Sequence, residues 1–108
     1  MRKQTDSLGN TWYYNDLNQL HREDGHAIEY ANGTKCWYLN GQLHREDGPA
    51  VEDANGSKYW YLNNQPHRED GPAVEYADGD KRWYFQNQRI FCETNEEFLK
   101  LMKLKVFW

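Results

Sequence analysis

The sequence predicts a mainly β protein: an antiparallel β-meander of hairpins built on 23-residue repeats and closed by a C-terminal capping α-helix. Three observations predict it. The pentapeptide His-Arg-Glu-Asp-Gly recurs at 21–25, 44–48 and 67–71, a strict spacing of 23. Turn dipeptides recur between short β-compatible runs. The 108-residue chain is only 38% hydrophobic but 16% aromatic, with five Trp and eight Tyr. Apolar burial must then come mostly from large rings, each burying roughly 150–250 Å², which suits an elongated sheet better than an aliphatic core.

The repeat defines the units. Trp-Tyr occurs at 12–13, 37–38, 60–61 and 83–84. Its first spacing is 25 and the later ones are 23, so the first copy carries two extra residues near Tyr14–Asn18. The last copy diverges after Phe85, where Gln86-Asn87-Gln88-Arg89-Ile90-Phe91 replaces the His-Arg-Glu-Asp run. Atypical end copies are expected in a stacked array, because end units meet solvent on one side. The repeats cover about residues 8–91 of a single domain spanning 1–108, with roughly nine to eleven short strands.

Each unit holds two turn signals. Asn32-Gly33, Asn55-Gly56 and Asp78-Gly79 favour a two-residue type I′ turn. Asn40-Gly41 is a second signal, with Asn63-Asn64 and Gln86-Asn87 as weaker copies. Proline at 49 and 72 suits the start of a strand. Closing the first set as two-residue loops places Ile28 opposite Trp37, Val51 opposite Trp60 and Val74 opposite Trp83. The second set places Trp37 opposite His44, Trp60 opposite His67 and Trp83 opposite Ile90. Together they predict one continuous row: Ile28, Trp37, His44, Val51, Trp60, His67, Val74, Trp83, Ile90. Tyr38, Tyr61 and Tyr84 fall on the other face, with Ala27, Ala50 and Ala73 beside them.

The segment after the repeats reads as a helix near 95–105. Thr94 with Glu97 forms a capping-box signal. Phe98, Leu101, Met102 and Lys105 share a stripe, and acidic residues open the helix while lysines close it. The expected role is a cap over the last hairpin, where Ile90 replaces a histidine. A docking or dimer contact through this helix is the alternative.

Composition narrows the function classes. The net charge is −4, from 13 basic and 17 acidic residues. No basic stripe stands out, which disfavours nucleic acid. No apolar run of ~18 residues is present, so no membrane span is expected. The N-terminus lacks the apolar stretch of a signal peptide, and a reducing cytoplasm is the expected location. Cys36 and Cys92 lie several strands apart, beyond the reach of a disulfide.

Three His-Arg-Glu-Asp copies invite a metal or catalytic reading. Successive copies sit roughly 9–10 Å apart at ~4.8 Å per strand, too far to share one zinc at ~2.0–2.2 Å. A catalytic constellation of unlike groups, tuned once, is not expected to recur almost unchanged three times. No catalytic residue, metal or cofactor is therefore expected. Arg45 and Arg68 are expected to pair with Glu or Asp of an adjacent strand or copy. The candidate binding surface is a strip formed by Tyr38, His44, Arg45, Tyr61, His67 and Arg68, because Trp, Tyr and Arg are enriched at interface hot spots.

Tyr30-x-Asn32-Gly33, Tyr38-x-Asn40-Gly41 and Gly48, continued by Asn55-Gly56, Tyr61, Asn63 and Gly71, resemble the variant form of the MORN (membrane occupation and recognition nexus) repeat. Asp53 replaces a tyrosine of that pattern and Asn64 a turn glycine. The Trp-Tyr and His-Arg-Glu-Asp-Gly-Pro-Ala elements are additions, similar to those in uncharacterised phage and large-DNA-virus proteins. The resemblance implies a non-enzymatic protein-binding module, of the kind a phage would use to inhibit or modulate a host protein in the host cytoplasm. A membrane-surface scaffold, anchored by Lys100, Lys103, Lys105, Phe107 and Trp108, is one alternative. A metal- or small-ligand-binding protein using the His/Trp face is the other.

Overall fold

Two kinds of turn alternate along the chain, and together they build an antiparallel sheet of many hairpins. The computed structural model describes residues 2–104. The strands run in chain order as β1 (Arg2–Thr5), β2 (Thr11–Tyr14), β3 (Ile28–Glu29), β4 (Lys35–Cys36), β5 (Tyr38–Leu39), β6 (Gln42–Leu43) and β7 (Val51–Glu52). They continue as β8 (Lys58–Tyr59), β9 (Tyr61–Leu62), β10 (Gln65–Pro66), β11 (Val74–Glu75), β12 (Lys81–Phe85) and β13 (Gln88–Ile90), before helix α1 (Asn95–Lys103). Nine strands form one sheet in the order β1-β2-β3-β4-β7-β8-β11-β12-β13, while β5-β6 and β9-β10 are separate two-stranded hairpins. Strand β1 lies outside the predicted span of 8–91, and its exposed residues form one edge of the long sheet.

The first turn type corrects the predicted register. Gly9, Gly33, Gly56 and Gly79 have φ of +92° to +97°, whereas Asn32, Asn55 and Asp78 keep negative φ. A type I′ turn needs positive φ at both positions. The loop here is instead a three-residue one, a type I turn followed by a left-handed glycine. The Gly56 N–H donates to the Asp53 carbonyl at 3.0 Å and the Asp53 N–H to the Ser57 carbonyl at 2.9 Å. The extra loop residue shifts each pairing by one. Ile28 faces Cys36, Val51 faces Tyr59 and Val74 faces Arg82, not the tryptophans. The predicted continuous row of Ile/Val, Trp and His is therefore not formed. The row observed on the long sheet is Trp12, Ile28, Cys36, Val51, Tyr59, Val74, Arg82. The neighbouring row alternates in charge: Glu29, Lys35, Glu52, Lys58, Glu75, Lys81. Opposite charges directly across a ladder contribute roughly 0.2–1 kcal/mol per pair.

The second turn type forms as predicted. Asn40-Gly41, Asn63-Asn64 and Gln86-Asn87 all have positive φ at both positions. Leu39 pairs with Gln42, Leu62 with Gln65 and Phe85 with Gln88. Trp83 faces Ile90. Between the two turn systems the chain changes partners at one residue. The Trp37 N–H donates to Ala50 of the long sheet at 2.7 Å, while its carbonyl accepts from His44 of the short hairpin at 3.1 Å. Trp60 does the same with Ala73 and His67.

Tyr13, not Trp12, holds this position in the first copy. Its N–H donates to Ala27 and its carbonyl accepts from His21. The first copy therefore has one extra residue rather than two. It sits in the loop around Asn18, whose φ is 64°.

Apolar burial is thin and distributed. Ala27, Ala50 and Ala73 are fully buried, with Ile28 and Val74 beside them in sequence. The densest cluster is at the C-terminal end, where Phe98 packs against Trp83 and Ile90, with Phe85, Cys92, Leu101 and Met102 around it. Helix α1 starts where the capping box predicted, with the Thr94 side chain accepting from the Glu97 N–H. The cap reading of the helix thus describes the packing observed. Lys105, Phe107 and Trp108 of the anchor alternative lie outside the described residues.

Candidate functional site

The His-Arg-Glu-Asp-Gly segments leave the short hairpins and line the array on one side. Each of their polar side chains has a defined local task. The Arg45 Cζ lies 3.9 Å from the centroid of the Trp37 ring, and Arg68 lies 3.9 Å above Trp60. Arg22 occupies the same place over Tyr13 at 4.2 Å. Arg45 Nε also donates to Asp47 Oδ1 at 2.9 Å, and one of its terminal nitrogens donates to the Pro49 carbonyl at 3.1 Å. Arg68 repeats both bonds with Asp70 and Pro72. Such stacking contributes roughly 0.5–2 kcal/mol, more as the site loses water. The expected arginine–carboxylate pairing exists, but mainly within the same copy rather than across strands. Contacts to Glu52 and Glu75 of the adjacent strand are longer, at 4.0 and 3.6 Å.

In two copies the motif glycine lies directly against the guanidinium. A Cβ at Gly48 or Gly71 would stand 2.9 or 2.8 Å from the arginine Cζ. At Gly25 the same distance is 3.5 Å, an ordinary contact.

The histidines join one copy to the next. His44 Nδ1 accepts the N–H of Asn63 at 3.1 Å, the first residue of the following type I′ turn. His21 accepts from Asn40 and His67 from Gln86 in the same way. The accepting Nδ1 leaves the ring proton on Nε2, which faces Glu46 at 3.6 Å in the His44 copy. The His67 ring also packs against Phe85, with centroids 4.7 Å apart.

Among the six predicted surface residues, the structure therefore brings His44 with Arg45, and His67 with Arg68, into two equivalent settings. It turns them largely inward. The arginine side chains are 23% exposed and the two histidines 14% and 10%. Tyr38 and Tyr61 are half-buried, and their carbonyls accept from the N–H of Arg22 and Arg45. Burial raises the Tyr38 hydroxyl above its ordinary pKa, with smaller contributions from Cys36 and Tyr30.

The motif's outward members are carboxylates that the sequence reading passed over. Glu46, Asp47, Glu69 and Asp70 are 75–87% exposed. Asp47 is held below the usual carboxylate range by its hydrogen bond from Arg45 and then by that charge. The signal was in the spacing: an arginine followed two residues later by Asp and four later by a carbonyl can fold back on its own segment, leaving the intervening Glu outward. Two like grooves result. One, of about 620 Å³, is lined by Trp60, Leu62, His67, Arg45 and Arg68 and edged by Glu46, Asp47, Glu69 and Asp70. The other, of about 590 Å³, is lined by Trp37, Leu39, His44, Arg22 and Arg45 and edged by Glu23, Asp24, Glu46 and Asp47.

Cysteine chemistry is subdued. Burial, with a smaller contribution from Asp53, pushes the Cys36 thiol up to about 11, and burial raises Cys92 as well. Both cysteines are free. Among the described residues, no group of three or more His, Cys, Asp or Glu side chains is arranged to hold a metal ion. No described helix is long and apolar enough to cross a membrane. No family model, curated protein or solved structure matches the chain.

Proposed function

We propose that this chain is a non-enzymatic, protein-binding repeat module that uses the grooved side of the array, in keeping with its resemblance to MORN-variant repeats. One observation carries the reading: a groove of the same size and the same residue types occurs twice, 23 residues apart in sequence. A repeated surface suits an extended or multivalent partner. The histidine settings point the same way. In each of three copies the Nδ1 lone pair that a general base would use already accepts a backbone N–H.

The grooves hold Arg45, His67 and Arg68 beside Trp60 and Leu62, and His44 and Arg45 beside Trp37 and Leu39. Arg45 and Arg68 stack on tryptophan, so replacing them tests folding as much as binding. Leu39 and Leu62 are half-buried groove residues and make better probes. Affinity capture from lysate, with mass spectrometry, compares wild type, Leu39→Glu, Leu62→Glu and the double variant, with circular dichroism as the fold control. Each single change should weaken capture of the same protein partly, and the double change should abolish it. Undiminished capture by a folded double variant would refute the grooved side as the binding surface.

A further inference from the structure

Resting on that reading, we infer that the grooved side takes a cationic polypeptide in a polyproline II conformation, with Lys or Arg at every third residue. Three observations carry the choice of occupant. The first is charge. The groove edges carry Glu46, Asp47, Glu69 and Asp70 in the open, while Arg45 and Arg68, which line the same groove, are stacked on rings and bonded to Asp47 and Asp70. With histidine neutral, each motif carries one positive and two negative charges, so the groove is net negative through Glu46 and Glu69. The second is the lining. Trp37 with Leu39, and Trp60 with Leu62, lie between those edges. Apolar surface between carboxylates fits the aliphatic stem and cationic head of Lys or Arg, and it fits the proline rings of a polyproline II segment.

The third observation is period. Trp37 and Trp60, one in each groove, directly follow β4 and β8, which lie two strands apart in the long sheet because β4 pairs with β7 and β7 with β8. At ~4.8 Å per strand this is roughly 9–10 Å. A polyproline II helix advances ~9.3 Å in each three-residue turn, so every third side chain returns to the same side in step with the grooves. Alternate residues of a β-strand are only ~6.6–6.8 Å apart, and one turn of α-helix advances ~5.4 Å. The groove spacing matches neither one nor two of these strand intervals, and two α-helical turns advance ~10.8 Å and overshoot the second groove. A polyproline II chain also needs no backbone partner, which suits a site lined by side chains rather than a free sheet edge.

The test uses the full chain and synthetic peptides, with binding read by calorimetry and tryptophan fluorescence. The probe is (Lys-Pro-Pro) repeated four times. The controls are a peptide of identical composition with its lysines contiguous, and (Glu-Pro-Pro) repeated four times. The periodic lysine peptide should bind ~10-fold more tightly than the contiguous one, and the glutamate peptide should not bind. Glu46→Gln with Glu69→Gln should weaken the periodic peptide ~10-fold, and either change alone ~3-fold. Both side chains are exposed, so the fold is expected to survive. Equal affinity for the two lysine spacings, or no binding of the periodic peptide, would overturn the inference. Either result leaves the Leu39/Leu62 capture experiment standing, so the partner class and the binding role fail separately.

Discussion

At the residue scale, the unit is organised around one arginine. Arg68 stacks on Trp60, holds Asp70 and reaches the Pro72 carbonyl, and Gly71 is the space that lets it do so. Gly71 does not have positive φ, so an alanine there meets the guanidinium of Arg68 and no backbone penalty. Gly71→Ala should therefore cost about 1–2 kcal/mol in the wild-type background, within the range of local overpacking. The same change should be almost silent when Arg68 is already alanine. Gly25→Ala, where the gap to Arg22 is larger, should be tolerated in the intact protein. Urea denaturation of the four members of the Gly71/Arg68 cycle measures the coupling. Additive costs would mean that the glycine serves something other than the arginine.

At the element scale, two turn types with similar sequences behave differently. Asn55 has negative φ and its Oδ1 accepts the Ser57 N–H at 2.9 Å, whereas Asn63 has φ of 50°. Asn55→Ser should cost under about 0.5 kcal/mol, because serine adopts that conformation and retains an acceptor. Asn63→Ser should cost about 1–2 kcal/mol, because a left-handed backbone penalises most side chains by that amount. Chemical denaturation midpoints compare them directly. Similar losses at both sites would argue that both loops share one geometry. The terminal helix follows simpler rules: its capping box, its acidic start and its basic last turn are all present, and its apolar stripe finds Trp83 and Ile90.

At the scale of the whole molecule, the chain is an open array whose units hold their neighbours through repeated contacts. Hairpin stacks on hairpin through the histidine Nδ1 bonds and through Gly41 N–H to Leu20 and Asn64 N–H to Leu43, both at 2.8 Å. The glycine loops are linked in turn, with Ala54 N–H donating to Thr34 Oγ1 and Ala77 N–H to Ser57 Oγ. Stability in such an array is close to a sum of unit and neighbour contributions, and its ends open first. Phe98→Ala removes the fully buried ring of the terminal cap and should cost about 3–5 kcal/mol locally. Hydrogen exchange should then accelerate in β12 and β13 well before β2 and β3. Uniform acceleration through all strands would show an all-or-none unit instead.

The amino-acid sequence by itself determined the repeating unit, the position of every turn within 20–91, the hairpins closed by two-residue type I′ turns, and the capped helix. These are local matters: left-handed backbone needs Gly or Asn, and a capping box needs only residues three apart. Tertiary structure decided the register of the long sheet and which members of the His-Arg-Glu-Asp segment face outward. Asn-Gly is compatible with a two-residue or a three-residue loop, and one residue's difference moves every side chain of the strand. The three-residue loop is held by partners some twenty residues away: the Ala54 N–H donates to Thr34 Oγ1 at 3.1 Å and the Ala77 N–H to Ser57 Oγ at 3.0 Å. In the same way, the stack of Arg45 on Trp37 and the bond from Asn63 to His44 add distant partners to the local bonds of Arg45 with Asp47 and Pro49, and together they turn the arginine and histidine inward and leave the carboxylates to solvent.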